Sequence, residues 1–411
     1  MATEKLYWAD STARSFDADS ALLSSWQGRA SIVLPRTLFY PEAGGQLADR
    51  GMLTLGARTV AIDDVQVDDE GVIHHLVAVG EAALTVAELG NAHGEIDAAR
   101  RRDFTAQHTA QHALSRALLD EARAPTVSSR LGATLCTIDL DRADIPEGEI
   151  ARAEDLVNSI VTDDIPVRAL FPTAEELASM DLRRAPKVSA NVRVIDIEGF
   201  DLSPCGGTHC TRSGQIGTIR VVGVERYKGK TRLSFHAARR ALADARAKEA
   251  ALSALAAELT CGVLDVGGAV AKLQRELKTR GDALTAAREE VVEHLAEAAW
   301  RAHPVKDGGA PTFVTLLRPH DEVAMLRSVA GRVASRADVV ALAASLDPVS
   351  GEALLVVQRG AGVTGFDCGA WLKSTVSAHE GRGGGRPERA EGRVKLARLG
   401  SLDGVAPLLP R

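Results

Sequence analysis

The chain has 411 residues, 45% of them hydrophobic and 25% charged, with a formal net charge of −6. That composition excludes a disordered or low-complexity polymer and suits a globular chain of roughly two to four domains. The acidic balance argues against a protein that coats nucleic acid indiscriminately, while leaving room for a local basic patch.

Residues 1–90 read as a small β-barrel or meander, because "ASIVLPRTLFYP", "RGMLTLGARTVAIDDVQVD" and "GVIHHLVAVG" are short β-branched or alternating runs broken by Gly, Asp and Pro. Residues 91–237 read as an α+β unit. It holds a helix over 103–122, a strand at "LCTIDLD", a helix over 147–163 ending before Pro166, and a short helix near 173–180. Strands at "VRVIDI", "IGTIRVVGVERYK" and "KTRLSFHA" complete it. Residues 238–304, rich in Ala, Leu, Arg, Lys and Glu, predict two long amphipathic helices interrupted at "CGVLDVGG". They fit an extended helical arm and two helices packed on their own domain equally well. Residues 305–411 predict an α/β domain with strands at "TFVTLL", "VVALAASL" and "ALLVVQRG" and helices over 321–336 and 368–378. It ends in a Gly/Arg-rich loop, "EGRGGGRPERAEGRVK". The fold class is α+β.

Five cysteines, at 136, 205, 210, 261 and 368, are odd in number and scattered, which disfavours a disulfide framework and suits a reducing cytoplasm. The opening "MATEKLYWADSTARSF" lacks a signal-peptide pattern, and no apolar run reaches the length of a membrane span, so no membrane association is expected.

The chemistry concentrates in two short motifs. His108 and His112 are four apart in a predicted helix, so both imidazoles leave one face and can converge on an ion about 2 Å from each nitrogen. Cys205 and His209 bracket Gly206-Gly207-Thr208, where two glycines permit positive φ angles that fold a loop around an ion. Together they predict one Zn2+ per chain held by His108, His112, Cys205 and His209. Cys210 reads as a spare buried thiol. Gly44 and Gly45 let backbone N–H groups approach a ligand closely, and Gln46 offers both donor and acceptor; a tight turn is the plainer alternative. Near the C-terminus, Lys and Arg outnumber Asp and Glu. There Arg382, Gly383, Gly384, Gly385 and Arg386 can set backbone donors and guanidinium forks against RNA phosphates, or form a flexible surface loop.

The order "RTLFYPEAGGQLADRG", "QHTAQHALSRAL", "PCGGTHC", a helical stretch, then "GRGGGRPERAEG" resembles the alanyl-tRNA editing family. The likeness covers nearly the whole chain and is greatest to the long form of the free-standing AlaX proteins, themselves similar to the editing and C-terminal domains of alanyl-tRNA synthetase. No segment resembles the ATP-binding or tRNA-charging domains, so the chain is expected to begin near the editing module. The resemblance implies ATP-independent hydrolysis, in trans, of Ser-tRNA(Ala) and as a second substrate Gly-tRNA(Ala), sparing Ala-tRNA(Ala). It places a hydroxyl-recognising threonine at Thr37, for which a solvent-facing strand threonine is the alternative, and it makes Gly44, Gly45 and Gln46 pocket lining. It further implies that the Arg382–Arg386 segment binds the outer corner of tRNA(Ala) and reads its G3·U70 pair. The helical arm or the C-terminal domain is a candidate homodimer surface.

An apolar synthetase pocket sized for alanine admits glycine and rejects serine weakly, whereas a site that hydrogen-bonds the seryl hydroxyl can reject alanine strongly. The metal can polarise the ester carbonyl, lower the pKa of water, or anchor the terminal adenosine. Four protein ligands would favour positioning, or one ligand must yield to substrate; Cys205 is the candidate for a second role, and the water-activating group is unassigned. A metallopeptidase fits poorly, since Thr109-Ala110-Gln111 replaces the glutamate of H-E-x-x-H. The remaining alternative is a noncatalytic RNA-binding protein stapled by zinc.

Overall fold

The computed structural model describes residues 2–80, 90–186, 188, 191–304, 310–347 and 349–409. The chain divides into two compact units, Met1–Leu255 and Ala256–Arg411.

The first unit opens with β1 (Glu4–Lys5), β2 (Ser15–Ala18), β3 (Leu22–Trp26), β4 (Arg29–Val33), β5 (Arg36–Thr37), β6 (Gly51–Leu55), β7 (Arg58–Val67), β8 (Ile73–Val77) and β9 (Ala92–Ile96). Seven of these form an antiparallel sheet in the order β2-β9-β6-β7-β8-β4-β3, and β1 pairs in parallel with β5. The order is linear with β2 and β3 at its ends, so the barrel closure expected from sequence is not seen among the described residues. The sheet also takes in β9, past the boundary drawn at 90, because Ala92 and Ile96 turn inward onto the core formed by Leu53, Val60 and Ile62.

The next stretch begins with α1 (Ala98–Ala122), capped by Asp97, whose carboxylate accepts from the backbone N–H groups of Ala99 and Arg100. It is buried almost all round. Ala110, Ala113, Leu114, Ala117 and Leu118 meet the apolar core, while Thr105, Gln107, His108, Thr109, Gln111 and His112 are equally buried and polar. Such a polar face requires partners, since an unpaired buried group costs of order 1–3 kcal/mol. Then come β10 (Thr126–Leu131), β11 (Cys136–Leu140), α2 (Glu147–Asp163), β12 (Val167–Leu170), α3 (Ala174–Ser179), β13 (Val194–Ile197), β14 (Asp201–Pro204), β15 (Ile219–Tyr227) and β16 (Lys230–Ala237). One antiparallel sheet runs β10-β11-β16-β15 and a smaller one β12-β13-β14. In β16 the alternate residues Thr231, Leu233, Phe235 and Ala237 are buried, the period expected of a half-covered strand.

Arg101 joins α1 to the N-terminal sheet module. Its buried guanidinium meets the buried Asp49 carboxylate, with Nε 3.1 Å from Oδ2, and also donates to the carbonyls of Leu38 and Ser11. Removing one partner of such a pair costs about 3–5 kcal/mol. The pair therefore fixes where α1 presents its histidines.

The helical region is α4 (Ala238–Glu258) and α5 (Val266–Ala302), separated by a short 3-10 turn at Val263–Asp265; the boundary between the units falls near the end of α4. The second unit continues with β17 (Thr312–Leu317), α6 (Val323–Val333), β18 (Val339–Leu346), β19 (Glu352–Arg359), α7 (Cys368–Ala378), β20 (Arg382–Gly385) and β21 (Arg389–Lys395). Its sheet runs β17-β18-β19-β21-β20, with β17 and β18 parallel. One face packs on α6 and the end of α5, the other on α7, so β18 is apolar at nearly every position.

The Gly/Arg-rich segment is not a loop, contrary to the sequence expectation. Gly383 pairs with Gly392 and Gly385 with Ala390 in an antiparallel hairpin whose Pro387-Glu388 turn is closed by hydrogen bonds between Arg386 and Arg389. The glycines answer to close strand approach: a Cβ on Gly383 would stand 2.6 Å from Gly392 Cα, and one on Gly385 would stand 2.3 Å from the Arg389 carbonyl oxygen. Among the described residues no single helix is long and apolar enough to cross a membrane.

Candidate metal centre

Two elements supply the four donors. One turn of α1 carries His108 and His112, and the chain leaving β14 carries Cys205 and His209; the four ligand atoms lie within 4.8 Å of one another. His108 Nε2 is 3.4 Å and His209 Nε2 is 3.3 Å from Cys205 Sγ. Those separations are close to the roughly 3.5 Å between a nitrogen and a sulfur on one tetrahedral zinc ion.

The surrounding hydrogen bonds orient each ring. His108 Nδ1 donates to Gln46 Oε1 at 2.7 Å, which leaves its Nε2 lone pair facing Cys205. Thr109 Oγ1 spends its proton on the Thr105 carbonyl, so His209 Nδ1, 3.3 Å away, is the donor and its Nε2 is likewise bare. His112 Nδ1 lies 3.5 Å from Asp201 Oδ2, too poorly aligned for a hydrogen bond, and its buried Nε2 has no partner at all among the described residues. Two imidazoles thus face one thiol with bare Nε2 atoms, and the third, His112, has both nitrogens without a hydrogen-bond partner among the described residues. A cation resolves that arrangement, and three imidazoles with one thiolate suit zinc.

Burial pushes the Cys205 thiol up, but the fields of His108, His209 and His112 outweigh it and hold the pKa well below its ordinary value. Burial also raises Asp201, yet His112 and Arg183 more than reverse this and bring it to about 2. Arg183 Nε sits 2.6 Å from that carboxylate. Cys210 behaves differently. Burial pushes its thiol up to about 11, and it stands outside the donor cluster, as expected of a spare thiol.

The ligand loop is held from two sides. Trp8 Nε1 donates to the Gly206 carbonyl at 3.0 Å and Ser11 Oγ to the His209 carbonyl at 2.6 Å. From the other side Arg193 Nη1 donates to the carbonyls of Cys205 and Gly207 at 3.0 and 2.8 Å. Neither Gly206 nor Gly207 adopts a positive φ, which corrects the reason given for them from sequence. Gly207 is required by space instead, because a Cβ there would stand 2.2 Å from His108 Cε1.

A cavity of about 770 Å³ opens beside the cluster, and of the four donors only His108 and Cys205 line it. Its wall includes the aromatic rings of Tyr7, Trp8 and Tyr40 and the cations Lys5, Arg184 and Arg193. Gly44 lines it, as do Gln111 and Ser129. Gly44 and Gly45, at φ 58° and 86°, form a tight turn closed by paired hydrogen bonds between Ala43 and Gln46. The turn and the lining role expected of Gly44 therefore coincide. Gln46 departs from its expected substrate contact: it is fully buried, and its amide is committed to His108 and to Thr208, 3.0 Å from Nε2.

Thr37 is fully buried rather than solvent-facing, and it is absent from the cavity wall. His75 Nδ1 donates to the Ile32 carbonyl at 2.8 Å, so His75 Nε2 must accept from Thr37 Oγ1, also at 2.8 Å; that oxygen in turn accepts from Phe39 N–H. Arg382 and Arg386, with Gly383, Gly384 and Gly385, belong to the other unit, where all five are exposed. Sequence reading missed Asp201, Arg193, Thr109, Trp8 and Ser11 as supports of the centre.

Residues 15–100 match a family described as class II (A) tRNA synthetases, and residues 192–234 match the threonyl and alanyl tRNA synthetase second additional domain. An alanine–tRNA ligase of Halorubrum lacusprofundi is 31% identical over 77% of this chain and 34% of its own length. That of Methanopyrus kandleri is 30% identical over 95% of this chain and 42% of its own. The chain is a relative of the alanyl-tRNA synthetases. It spans between about a third and two-fifths of the length of these curated relatives. The kinship is consistent with the AlaX-like order of its motifs, and the second additional domain match encloses Arg193, Cys205 and His209. The crystal structure of the C-Ala domain from Aquifex aeolicus alanyl-tRNA synthetase aligns over 25% of this chain and 92% of that domain, with 20% identity and a TM-score of 0.22.

Proposed function

We propose that this relative of the alanyl-tRNA synthetases deacylates Ser-tRNA(Ala), and Gly-tRNA(Ala) as a second substrate, while sparing Ala-tRNA(Ala). The reading rests on one observation: a His3Cys cluster, two of whose donors line a cavity that also carries three cations and three aromatic rings. Rings can stack a terminal base, and cations can hold its phosphates, while the acyl ester reaches the cluster.

Hydrolysis adds water to the acyl carbon, breaks the bond to the ribose oxygen, and releases free serine with the terminal hydroxyl of the tRNA. A zinc ion bound by His108, His112, Cys205 and His209 would supply Lewis acidity at the ester. The chain's own groups bind and orient: Trp8 and Tyr40 enclose the nucleoside, Lys5 and Arg184 meet its phosphate, and Gln46 and Asp201 keep His108 and His112 in place. Four protein donors would close a tetrahedral ion, so Lewis acidity at the ester requires Cys205 to yield its place; with all four bound, the ion would position the site instead. Discrimination falls to polar groups that serine satisfies and alanine leaves unpaired. Gln111 is such a group on the wall. Thr37 is fully buried off that wall, so a seryl hydroxyl reaches it only if the pocket opens.

In the same reading the Arg382–Arg386 hairpin contacts tRNA(Ala), supported by its exposure and local positive charge. The test is to incubate the purified zinc-loaded chain with Ser-tRNA(Ala) and Ala-tRNA(Ala). Selective release of serine is expected. No release from any aminoacyl-tRNA would leave only a binding role.

A further inference from the structure

Arg193 is a cation in an unusual place. It precedes β13, it is 5% exposed, and it forms no ion pair with a carboxylate among the described residues. Burying a guanidinium is costly unless its charge and donors are both used. Both of its recorded hydrogen bonds leave one nitrogen, Nη1, and reach the carbonyls of Cys205 and Gly207, two residues apart. Its Nε is buried without a partner among the described residues. Burial works against its charge, and Cys205 is the group whose field most offsets that cost.

The backbone explains the reach. The Arg193 carbonyl accepts from the Cys205 N–H at 2.9 Å, extending the β13–β14 ladder by one step, so residue 193 stands directly across from the thiol-bearing residue. From there its side chain returns to the loop just beyond and closes on the carbonyls flanking Gly206. Gly207 N–H meanwhile points at Cys205 Sγ, 3.4 Å away. The two carbonyls therefore face the guanidinium, while the amide faces the sulfur. Rotating either peptide would move Cys205 or His209 off the cluster.

We propose that Arg193 is a positioning residue for the metal centre: it clamps the Cys205–Gly207 peptides through their carbonyls. The proposal rests on the cluster being a metal site, and it assigns Arg193 a job that no ligand motif reveals. Lysine can offer two donors from one nitrogen, as Nη1 does, but on a more flexible stem and without the planar group that fixes the two N–H directions, so it replaces arginine only in part.

The experiment uses the full chain with Arg193→Lys and Arg193→Gln, each compared with the unmodified protein for zinc affinity by chelator competition and for thermal midpoint after metal removal. A third measurement is the thiolate-to-cobalt absorption of the Co(II)-loaded protein. Zinc affinity should fall about ten- to hundredfold in R193Q and by less in R193K, since supports behind a metal ligand typically act on that scale. The cobalt band should shift or weaken in the same order. Should R193Q fail to fold, R193K carries the test. Equal zinc affinity and an unchanged cobalt band in a folded variant would overturn the proposal, as would a fall in metal-free stability with no change in affinity. If the unmodified chain itself binds no zinc, the metal centre falls and this inference with it, a result distinct from the variant outcomes.

Discussion

The candidate metal cluster and the C-terminal hairpin belong to different units and are built on opposite principles. Around His108, His112, Cys205 and His209, polar side chains are buried, and the rings of His108 and His209 are each oriented by a neighbour, so little freedom is left to the donors. From Arg382 to Arg389 every residue of the hairpin is exposed, and what is fixed is chiefly the backbone. The first arrangement suits a site where small displacements matter; the second suits a surface whose charge acts at a distance and tolerates side-chain freedom.

The contrast breaks most visibly at Gly207. Its substitution by alanine puts a methyl group 2.2 Å from His108 Cε1, and neither the buried ring nor the clamped loop has room to retreat. Zinc affinity of Gly207→Ala should fall by more than about a hundredfold, measured by chelator competition; wild-type affinity would mean that the loop is looser than described. A second probe is pH. Burial holds His75 near pKa 4 in the folded chain, while the unfolded chain takes up that proton near 6.5. Stability is therefore lost as pH falls from about 6.5 to about 4, by roughly 3 kcal/mol from this group. His75→Gln should flatten that part of the stability curve, followed by chemical denaturation at several pH values. Gln46→Leu is the third probe: it frees the His108 ring without touching a ligand, and should weaken zinc binding about ten- to hundredfold.

These probes fall where sequence and structure part company. The helices over 147–163 and 368–378 lie where their periodicity places them, and the four donors are legible because ligand spacing is local: four residues on a helix, four around a loop. Support for those donors is not local. Gln46 reaches His108 across 62 positions, and Thr109 reaches His209 across 100, with no motif to join them. Strand β10 escapes notice because Val127, Ser128 and Arg130 are exposed and "TVSSRL" lacks apolar alternation. The hairpin is misread as a loop because glycine-rich strands imitate loops in composition, and only the facing Gly392 explains why side chains are excluded.

The smallest effects belong to that hairpin. Arg382 and Arg386 project from a scaffold whose pairing does not involve their side chains, so Arg382→Ala and Arg386→Ala should leave zinc content and thermal stability unchanged. If the hairpin touches RNA, each loss removes about one phosphate contact, so tRNA affinity should fall a few-fold and the salt dependence of binding should flatten by roughly one unit per arginine. The effect should be the same for every tRNA tested, because a phosphate contact carries no base information. A loss confined to tRNA(Ala) would mean that an arginine reads a base edge, and no loss at any salt concentration would separate this hairpin from RNA binding altogether.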